Sequence, residues 1–168
     1  TNSSRWSSKG DGKWIQFDLG GETTIDSIKT AWLSADKRTA YFDIETSLDG
    51  ENWVPVVTDA ESQGDDSLNK DDLGDVYARF IRIVGYGNSS SEDSEWNSLL
   101  DVEVYGCGEL KESPIETPTE PTEPTEPPAS CPITRLSASA SDDGSSSGNY
   151  EPSLAVDGSL KEASRWSS

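Results

Sequence analysis

The chain has 168 residues and carries 13 Lys and Arg against 32 Asp and Glu, so its formal net charge is −19 at pH 7. It contains no His, which excludes histidine-dependent triads, His-ligated zinc and imidazole acid–base chemistry. The charge argues against nucleic-acid partners, and no apolar run approaches the roughly 20 residues that membrane insertion needs. The absence of Met, with Thr1 first, indicates a piece of a longer precursor.

Alternation of apolar and polar residues predicts short strands. Ile15, Phe17 and Leu19 alternate with polar residues, and Gly20-Gly21 is predicted to turn the chain there. Phe42, Ile44 and Thr46 alternate in the same way. These segments are therefore predicted to be half-buried strands.

The pattern continues through the next 60 residues. Leu48-Asp49-Gly50-Glu51 is predicted to form a hairpin turn, and the run 80–84 is a predicted strand bounded by Gly85 and Gly87. Val102 and Val104 alternate in a last strand before Gly106. Since no segment keeps a helical period, we expect an all-β protein, an antiparallel β-sandwich or jelly roll.

Residues 108–130 are predicted to be a linker. They contain six of the nine prolines and a repeated Thr-Glu-Pro unit. Repeated Pro favours an extended chain and repeated Glu adds self-repulsion, so the segment is expected to be a semi-rigid spacer of at most ~3.1 Å per residue. The alternative is a Pro-rich ligand for an aromatic groove.

Two cysteines flank this linker, Cys107 and Cys131. They lack the CxxC spacing of redox or metal motifs. A structural disulfide in an oxidising compartment is expected, and with it a secreted, extracellular protein.

The two ends of the chain share a pentapeptide. Ser4-Arg5-Trp6-Ser7-Ser8 recurs as Ser164-Arg165-Trp166-Ser167-Ser168, an offset of 160 residues. The chain is therefore predicted to be one period of a tandem repeat with a short overlap. Residues 1–107 are the later part of one copy, and 131–168 are the opening part of the next.

Five motifs carry a resemblance to a known family. They are Ala155-Val156-Asp157-Gly158 followed by Ser164-Arg165-Trp166; Trp14 to Gly20; Ser47 to Trp53; Ala78 to Ile83; and Glu103-Val104-Tyr105-Gly106. Together they resemble the discoidin family, also called the coagulation factor 5/8 type C domain, whose polysaccharide-binding members form carbohydrate-binding module family 32. In detail the chain is most similar to copies attached to alginate lyases.

The five motifs stand in a different order here from their order in the family. In the family Ala-Val-Asp-Gly comes first and Glu-Val-Tyr-Gly last, so the natural order here is 131–168 followed by 9–107. The resemblance implies a discoidin-like jelly roll that 131–168 completes with 9–107, within one chain or between neighbouring chains. Because discoidin termini lie side by side, it also implies that Cys131 is placed to bond Cys107.

The resemblance implies a structural calcium. Its predicted ligands are Asp157, Ser164 and Glu103, with backbone carbonyls near Leu154, Ser159 and Val102. Hard oxygen ligands of this kind suit calcium. A solvated acidic surface is the alternative.

Carbohydrate binding needs an aromatic ring that stacks on a sugar and forked polar groups for hydroxyls or carboxylates. Loop residues that match the alginate-lyase subgroup supply them. The predicted ligand-binding residues are Asp36, Lys37, Arg38, Tyr86, Asn88, Trp96 and Asn97. The alternatives are a core-covering role for Trp96 and a surface salt bridge for Arg38. Trp14, Trp53 and Trp166 belong to motifs that are usually core.

We therefore expect a noncatalytic module that binds a polysaccharide, an acidic one such as alginate, in a secreted tandem-repeat protein. Neighbouring repeats of the same protein are expected partners. The alternative is a structural or adhesive repeat of an extracellular stalk or filament. Glycosidase chemistry by paired carboxylates is disfavoured, because so many acidic residues form pairs by chance.

Overall fold

The alternating pattern folds into antiparallel β-structure in a computed structural model, which describes residues 5–106 and the backbone of 131–132 and 137–140. The strands are β1 (Trp6–Lys9), β2 (Lys13–Trp32), β3 (Ala40–Ser47), β4 (Val54–Glu61), β5 (Asn69–Asn88), β6 (Trp96–Gly106), β7 (Cys131–Pro132) and β8 (Ser137–Ala140). Among the described residues no helix is long and apolar enough to cross a membrane.

Two long strands organise the sheet. β2 and β5 have 20 residues each and pair with one another antiparallel over most of their length. Their register shifts between Asp18 and Thr23 and again between Ile25 and Ser27. Shifts of this kind bend the strands, so that each strand passes from one layer of the fold into the other.

The pairings define the two layers. In the first, residues 13–18 of β2 lie between β5 and β8, and β5 continues to β3 and β4. In the second, residues 25–32 of β2 lie between β5 and β6, and β1 and β7 pair with β6. The predicted antiparallel sandwich is confirmed.

One hydrophobic cluster joins the layers. It contains Phe17 and Ile83 from the first layer and Ile28 and Val104 from the second, all at most 1% exposed. Burial of a side chain of this size stabilises the fold by about 1.5–3 kcal/mol. Trp6 of β1 joins the same cluster and is 2% exposed.

Most of the predicted strand residues are confirmed. Ile15, Leu19, Phe42 and Ile44 are buried, and the Leu48 to Glu51 turn connects β3 to β4. In that turn the Asp49 carboxylate accepts hydrogen bonds from the backbone and side chain of Asn52 and from the backbone of Glu51, which holds the pKa of Asp49 well below its ordinary value.

Two predicted breaks are wrong. The chain does not turn at Gly20-Gly21, because β2 continues through them with Gly20 at φ 83° and the register shift of a bulge. β5 likewise runs through Gly85 and Gly87 instead of ending before them. Glycine permits a bulge as readily as a turn, and neighbouring strands decide which forms.

Part of the C-terminal segment pairs with the rest of the chain. Cys131 lies opposite Gly106 and Pro132 opposite Tyr105, while Ser137–Ala140 pairs with Ile15–Asp18. The linker 108–130 and residues 141–168 lie outside the described residues, so the predicted boundaries of the linker and of the second copy remain predictions.

We predict that Gly106→Ala destabilises the fold. A Cβ at Gly106 would lie 2.0 Å from the carbonyl oxygen of Thr24, so the paired strands would have to separate. Overpacking of this kind costs about 1–3 kcal/mol, measurable as a lower free energy of unfolding in urea. Gly64→Ala is the control, because nothing lies within 4 Å of a Cβ there. Equal stability of the two variants would contradict the close approach.

Candidate functional site

The candidate site lies where two connections of the sandwich meet. One follows β2 and the other follows β5, and each supplies a hydrogen bond to the other. Thr39 N donates to Ser89 Oγ over 2.8 Å, and Ser89 N donates to Thr39 O over 2.9 Å. The turn after β2 is closed by Ser34, whose carbonyl accepts from Lys37 N and Arg38 N. These bonds place Arg38 beside the β5–β6 connection.

A surface cleft of about 230 Å³ opens at this junction. We call it the Arg38 cleft. Its lining residues come from β1 and the residue before it, from β6 and from both connections. They are Arg5, Ser7, Leu33, Arg38, Asp93, Trp96 and Ser98.

Two arginines line this cleft in a chain of net charge −19. Arg38 is half-buried, and its Nε donates to the carbonyl oxygen of Leu33 over 3.1 Å. Arg5 Nε donates to Ser7 Oγ over 2.9 Å, and Ser7 Oγ donates to Ser98 Oγ over 3.1 Å. Both guanidinium groups are therefore oriented by bonds through Nε. Their planar ends match the geometry of a carboxylate.

Trp96 and Asp93 supply the remaining chemistry. The indole of Trp96 is half-buried at the start of β6, and Trp96 N donates to Asp93 O over 3.2 Å. A partly exposed indole offers an apolar face to a sugar ring, and a carboxylate accepts hydrogen bonds from sugar hydroxyls. The cleft therefore combines cations, an aromatic ring and a hydrogen-bond acceptor.

Asn88 and Asn97 support the cleft from beneath. Asn88 Nδ2 donates to the carbonyl oxygens of Asp93 and Trp96, at 2.9 and 2.8 Å. Asn97 is fully buried, and its Oδ1 accepts from Gly87 N over 2.7 Å while Nδ2 donates to Gly10 O over 2.9 Å. These two side chains were predicted to contact the ligand. In this structure they form hydrogen bonds to the backbone around the cleft.

The other predicted ligand residues lie outside the lining. Asp36 and Lys37 are exposed on the turn that carries Arg38. Tyr86 is 43% exposed and its hydroxyl donates to Asp43 Oδ2 over 2.9 Å. Partial burial, followed by this contact, raises the pKa of Tyr86 to about 12. The structure thus brings together Arg38 and Trp96 out of the predicted set.

Sequence reasoning missed Arg5, Ser7 and Asp93. Arg5 and Ser7 stand in the repeated pentapeptide, and that repetition was the available signal for them. Asp93 stands in a run of exposed polar residues and gives no pattern of its own. Only the meeting of β1 with the β5–β6 connection places these residues together.

The tryptophans away from the cleft lie in different environments; Trp14, Trp53 and Trp166 were predicted to be core, whereas no role was predicted for Trp32. Trp32 is buried and its ring centroid lies 4.9 Å from that of Phe42. Trp14 and Trp53 are half-buried and flank Arg82, whose guanidinium carbon lies 5.8 and 4.2 Å from their ring centroids. Trp166 lies outside the described residues.

Of the predicted calcium ligands, the structure describes Glu103 and Val102. Glu103 is half-buried on β6; its Oε2 accepts from the Tyr105 hydroxyl over 2.6 Å and lies 3.6 Å from Lys29 Nζ. Among the described residues there is no group of three or more metal-ligating side chains. The other predicted ligands lie outside the described residues. They are Asp157, Ser164, Leu154 and Ser159.

Comparison with known families identifies the class of protein. The model of the F5/8 type C domain matches residues 1–102, so the chain belongs to this family. It is a noncatalytic binding module whose structural neighbours are carbohydrate-binding modules of family 32. The predicted family and the absence of an enzymatic role are confirmed.

Two solved structures are similar to the chain in sequence as well as fold. The first is the family 32 module of AlyQ in complex with 4,5-unsaturated mannuronic acid, 38% identical over 60% of this chain and 75% of that chain, with a TM-score of 0.56. The second is truncated AlyQ with family 32 and alginate lyase domains, 36% identical, with a TM-score of 0.58. This chain covers 29% of that two-domain protein, which covers 68% of this one.

A pectin-binding module shares the fold alone, at 24% identity and a TM-score of 0.55 over 67% of this chain and 78% of that chain. No curated protein matches the chain.

We predict that Asn97→Ala destabilises the module. The substitution leaves the buried Gly87 N and the half-buried Gly10 O without their Asn97 partner, and an unsatisfied buried group costs about 1–3 kcal/mol. Chemical denaturation measures the loss. Asn52→Ala is the control, since Asn52 is exposed and its amide bonds only to the Asp49 side chain. If Asn97→Ala unfolds no earlier than Asn52→Ala, Asn97 does not support the cleft.

Proposed function

We propose that this module binds an acidic polysaccharide through the Arg38 cleft and recognises uronate carboxylates there. The observation that carries the proposal is that two arginines and Trp96 line one cleft, although the chain as a whole is strongly acidic. The resemblance to a module bound to 4,5-unsaturated mannuronic acid supports the same class of ligand.

Each cleft residue has a distinct role in this proposal. Arg38 and Arg5 donate to the uronate carboxylate, and Trp96 packs against the sugar ring. Asp93 accepts from ring hydroxyls, which favours a sugar over a simple inorganic anion. Lys37, exposed on the same turn, attracts a second carboxylate of the chain.

The setting of the module is also a proposal. We infer that it is secreted, that Cys107 and Cys131 form a disulfide, and that the module is one of a tandem series on Pro-rich spacers. The Thr-Glu-Pro linker and the repeated pentapeptide support the series. The backbone register that places Cys131 opposite Gly106 supports the disulfide.

We predict that Arg38→Ala and Trp96→Ala each weaken uronate binding at least tenfold. Hydrogen bonds from Arg38 to a charged group contribute about 1.5–3 kcal/mol, burial of an aromatic side chain such as Trp96 contributes about as much, and 1.4 kcal/mol corresponds to a factor of ten. Calorimetry with oligomannuronate, oligoguluronate, oligogalacturonate and a neutral oligosaccharide of equal length measures the affinities. Binding to the uronates is expected to fall as salt rises.

Lys9→Ala is the matched control, because Lys9 is an exposed cation that pairs with Glu95, outside the cleft lining. It is expected to retain wild-type affinity. Equal binding of uronate and neutral oligosaccharides would contradict the acidic specificity. Wild-type affinity in the Arg38→Ala, Trp96→Ala double variant would show that this cleft is not the binding site.

We further propose that calcium binds at Glu103 with Asp157, nearby carbonyls and one serine hydroxyl, that of Ser164 or, when residues 4–8 hold the shared position, that of its repeat counterpart Ser4. A half-buried carboxylate is the kind of hard oxygen ligand that calcium takes, and bound calcium would fix the chain segments that supply the ligands. Glu103 Oε2 also accepts a hydrogen bond from the Tyr105 hydroxyl and lies 3.6 Å from Lys29 Nζ.

We predict that excess chelator lowers the Tm and that added calcium restores it, because a ligand specific to the native state stabilises it by mass action. Glu103→Gln is expected to reduce the calcium-dependent shift in Tm. Glu51→Gln, at an exposed turn, leaves that shift unchanged. Identical melting with and without chelator, and no calcium by elemental analysis, would rule the site out.

A further inference from the structure

β1 occupies a defined place at the edge of the second layer. Its residues pair with the start of β6, from Trp6 opposite Leu99 to Lys9 opposite Trp96. The Trp6 side chain enters the core and is 2% exposed. We call this edge of β6, with the core space that holds Trp6, the β1 slot.

The residues that occupy this slot occur twice in the chain. Positions 164–168 repeat positions 4–8 letter for letter, including the core tryptophan and the two residues that line the Arg38 cleft, Arg5 and Ser7. We propose that Ser164–Ser168 is a second occupant of the β1 slot of its own chain. The N-terminal and C-terminal pentapeptides then compete for one position.

The entry of the C-terminal segment into the same sheet supports this competition. β2 pairs with β6 from Leu99 to Gly106, and β1 also pairs with Leu99, so β1 lies on the opposite edge of β6 from β2. β7 pairs with Tyr105 and Gly106, which are also partners of β2. β7 therefore lies on the same edge of β6 as the slot.

The length of chain allows the C-terminal pentapeptide to reach the slot. β8 ends at Ala140, where it pairs with Ile15 in the first layer. The 23 residues 141–163 can span at most about 75 Å at ~3.3 Å per residue. A domain of about 100 residues has a radius of gyration near 13 Å. The chain is therefore long enough for occupancy within one molecule.

The two occupants differ in their connections and not in their side chains. β1 is joined to β2 by a short turn, in which Gly10 N donates to Glu95 O and Gly12 N donates to Gly85 O. Short loops close at a lower entropic cost, although that cost grows slowly with length. β1 therefore holds the slot in the intact chain, and Ser164–Ser168 takes its place when β1 is weakened.

The test is a double-mutant cycle in the full chain with Trp6→Ala, Trp166→Ala and both substitutions. If the pentapeptides compete, Trp166→Ala melts as the wild type does. Trp6→Ala melts only a few degrees lower, since Trp166 fills the core space. The double variant, which has no tryptophan for the slot, is expected to melt at least ~10 °C lower than wild type.

The proposal is overturned if Trp6→Ala is as unstable as the double variant, or if the effects of the two substitutions add. The proposal also fails if the Tm of Trp6→Ala increases when the protein concentration is raised a hundredfold. The second occupant would then come from another molecule. A concentration-independent Tm supports occupancy within the chain.

A spectroscopic measurement follows the exchange without relying on stability. In chains labelled with 5-fluorotryptophan, Trp166→Phe identifies the fluorine resonance of that residue. In Trp6→Ala this resonance is expected to lose its shift between H₂O and D₂O, because the indole becomes buried. A resonance that stays solvent-exposed in Trp6→Ala overturns the proposal.

One consequence rests on the proposed function of the cleft. When Ser164–Ser168 occupies the slot, Arg165 replaces Arg5 beside Arg38. In the Trp6→Ala background, Arg165→Ala is then expected to weaken oligomannuronate binding, whereas Arg5→Ala has no effect. If neither change alters binding while the stability cycle holds, the assignment of Arg5 to ligand binding fails and the competition stands.

Discussion

The antiparallel pairing of β2 with β5 is the constraint on which the rest of the structure depends. Each strand passes through both layers, and the register shifts after Asp18 and after Ile25 set where the bend falls. Because one pair of strands builds both layers, β3 and β6 are positioned on opposite layers by the same ladder. The ends of β2 and β5, at Trp32 and Asn88, then lead into the two connections that meet at the Arg38 cleft.

A buried side-chain amide holds backbone segments next to the cleft. Asn97 connects the turn after β1 to the end of β5, through Gly10 and Gly87. Gly85 makes room for it, because a Cβ there would lie 2.2 Å from Asn97 Oδ1. A ligand would therefore meet a surface whose backbone is fixed before binding, which reduces the entropy lost on association.

The distribution of charge explains how an acidic protein can present a cationic site. On the outer face of the first layer, Arg79 pairs with Asp18 and Arg82 with Glu45, so these cations are neutralised locally. The same contact with Arg79 holds the pKa of Asp18 below its ordinary value. Arg38 instead bonds to a backbone carbonyl, which leaves its charge uncompensated by that contact. At physiological ionic strength charges separated by more than about 8 Å are largely screened, so the nearest groups decide the local potential.

The pentapeptide at residues 4–8 contributes to the module in two ways. It supplies a core anchor, Trp6, and two cleft residues within five positions. The same short strand thus contributes to stability and to the proposed ligand site. In a tandem series each module would receive this strand from the segment that precedes its own β2.

The sequence by itself determined the strand character, the family and the identity of many core residues. Period-two alternation at Ile15, Phe17 and Leu19 depends only on which side chains must leave water, and the burial of all three confirms it. Trp96 and Arg38 were predicted as ligand contacts from their loop motifs, and both line the same cleft. The tertiary structure decided what local pattern does not contain. Gly20 and Gly85 were predicted to end strands, yet β2 and β5 continue through them because both strands pair with their neighbours there. Asn97 was predicted to contact the ligand, yet it is buried against Gly85. Local pattern does not predict this, because solvent exposure depends on partners that are distant in sequence.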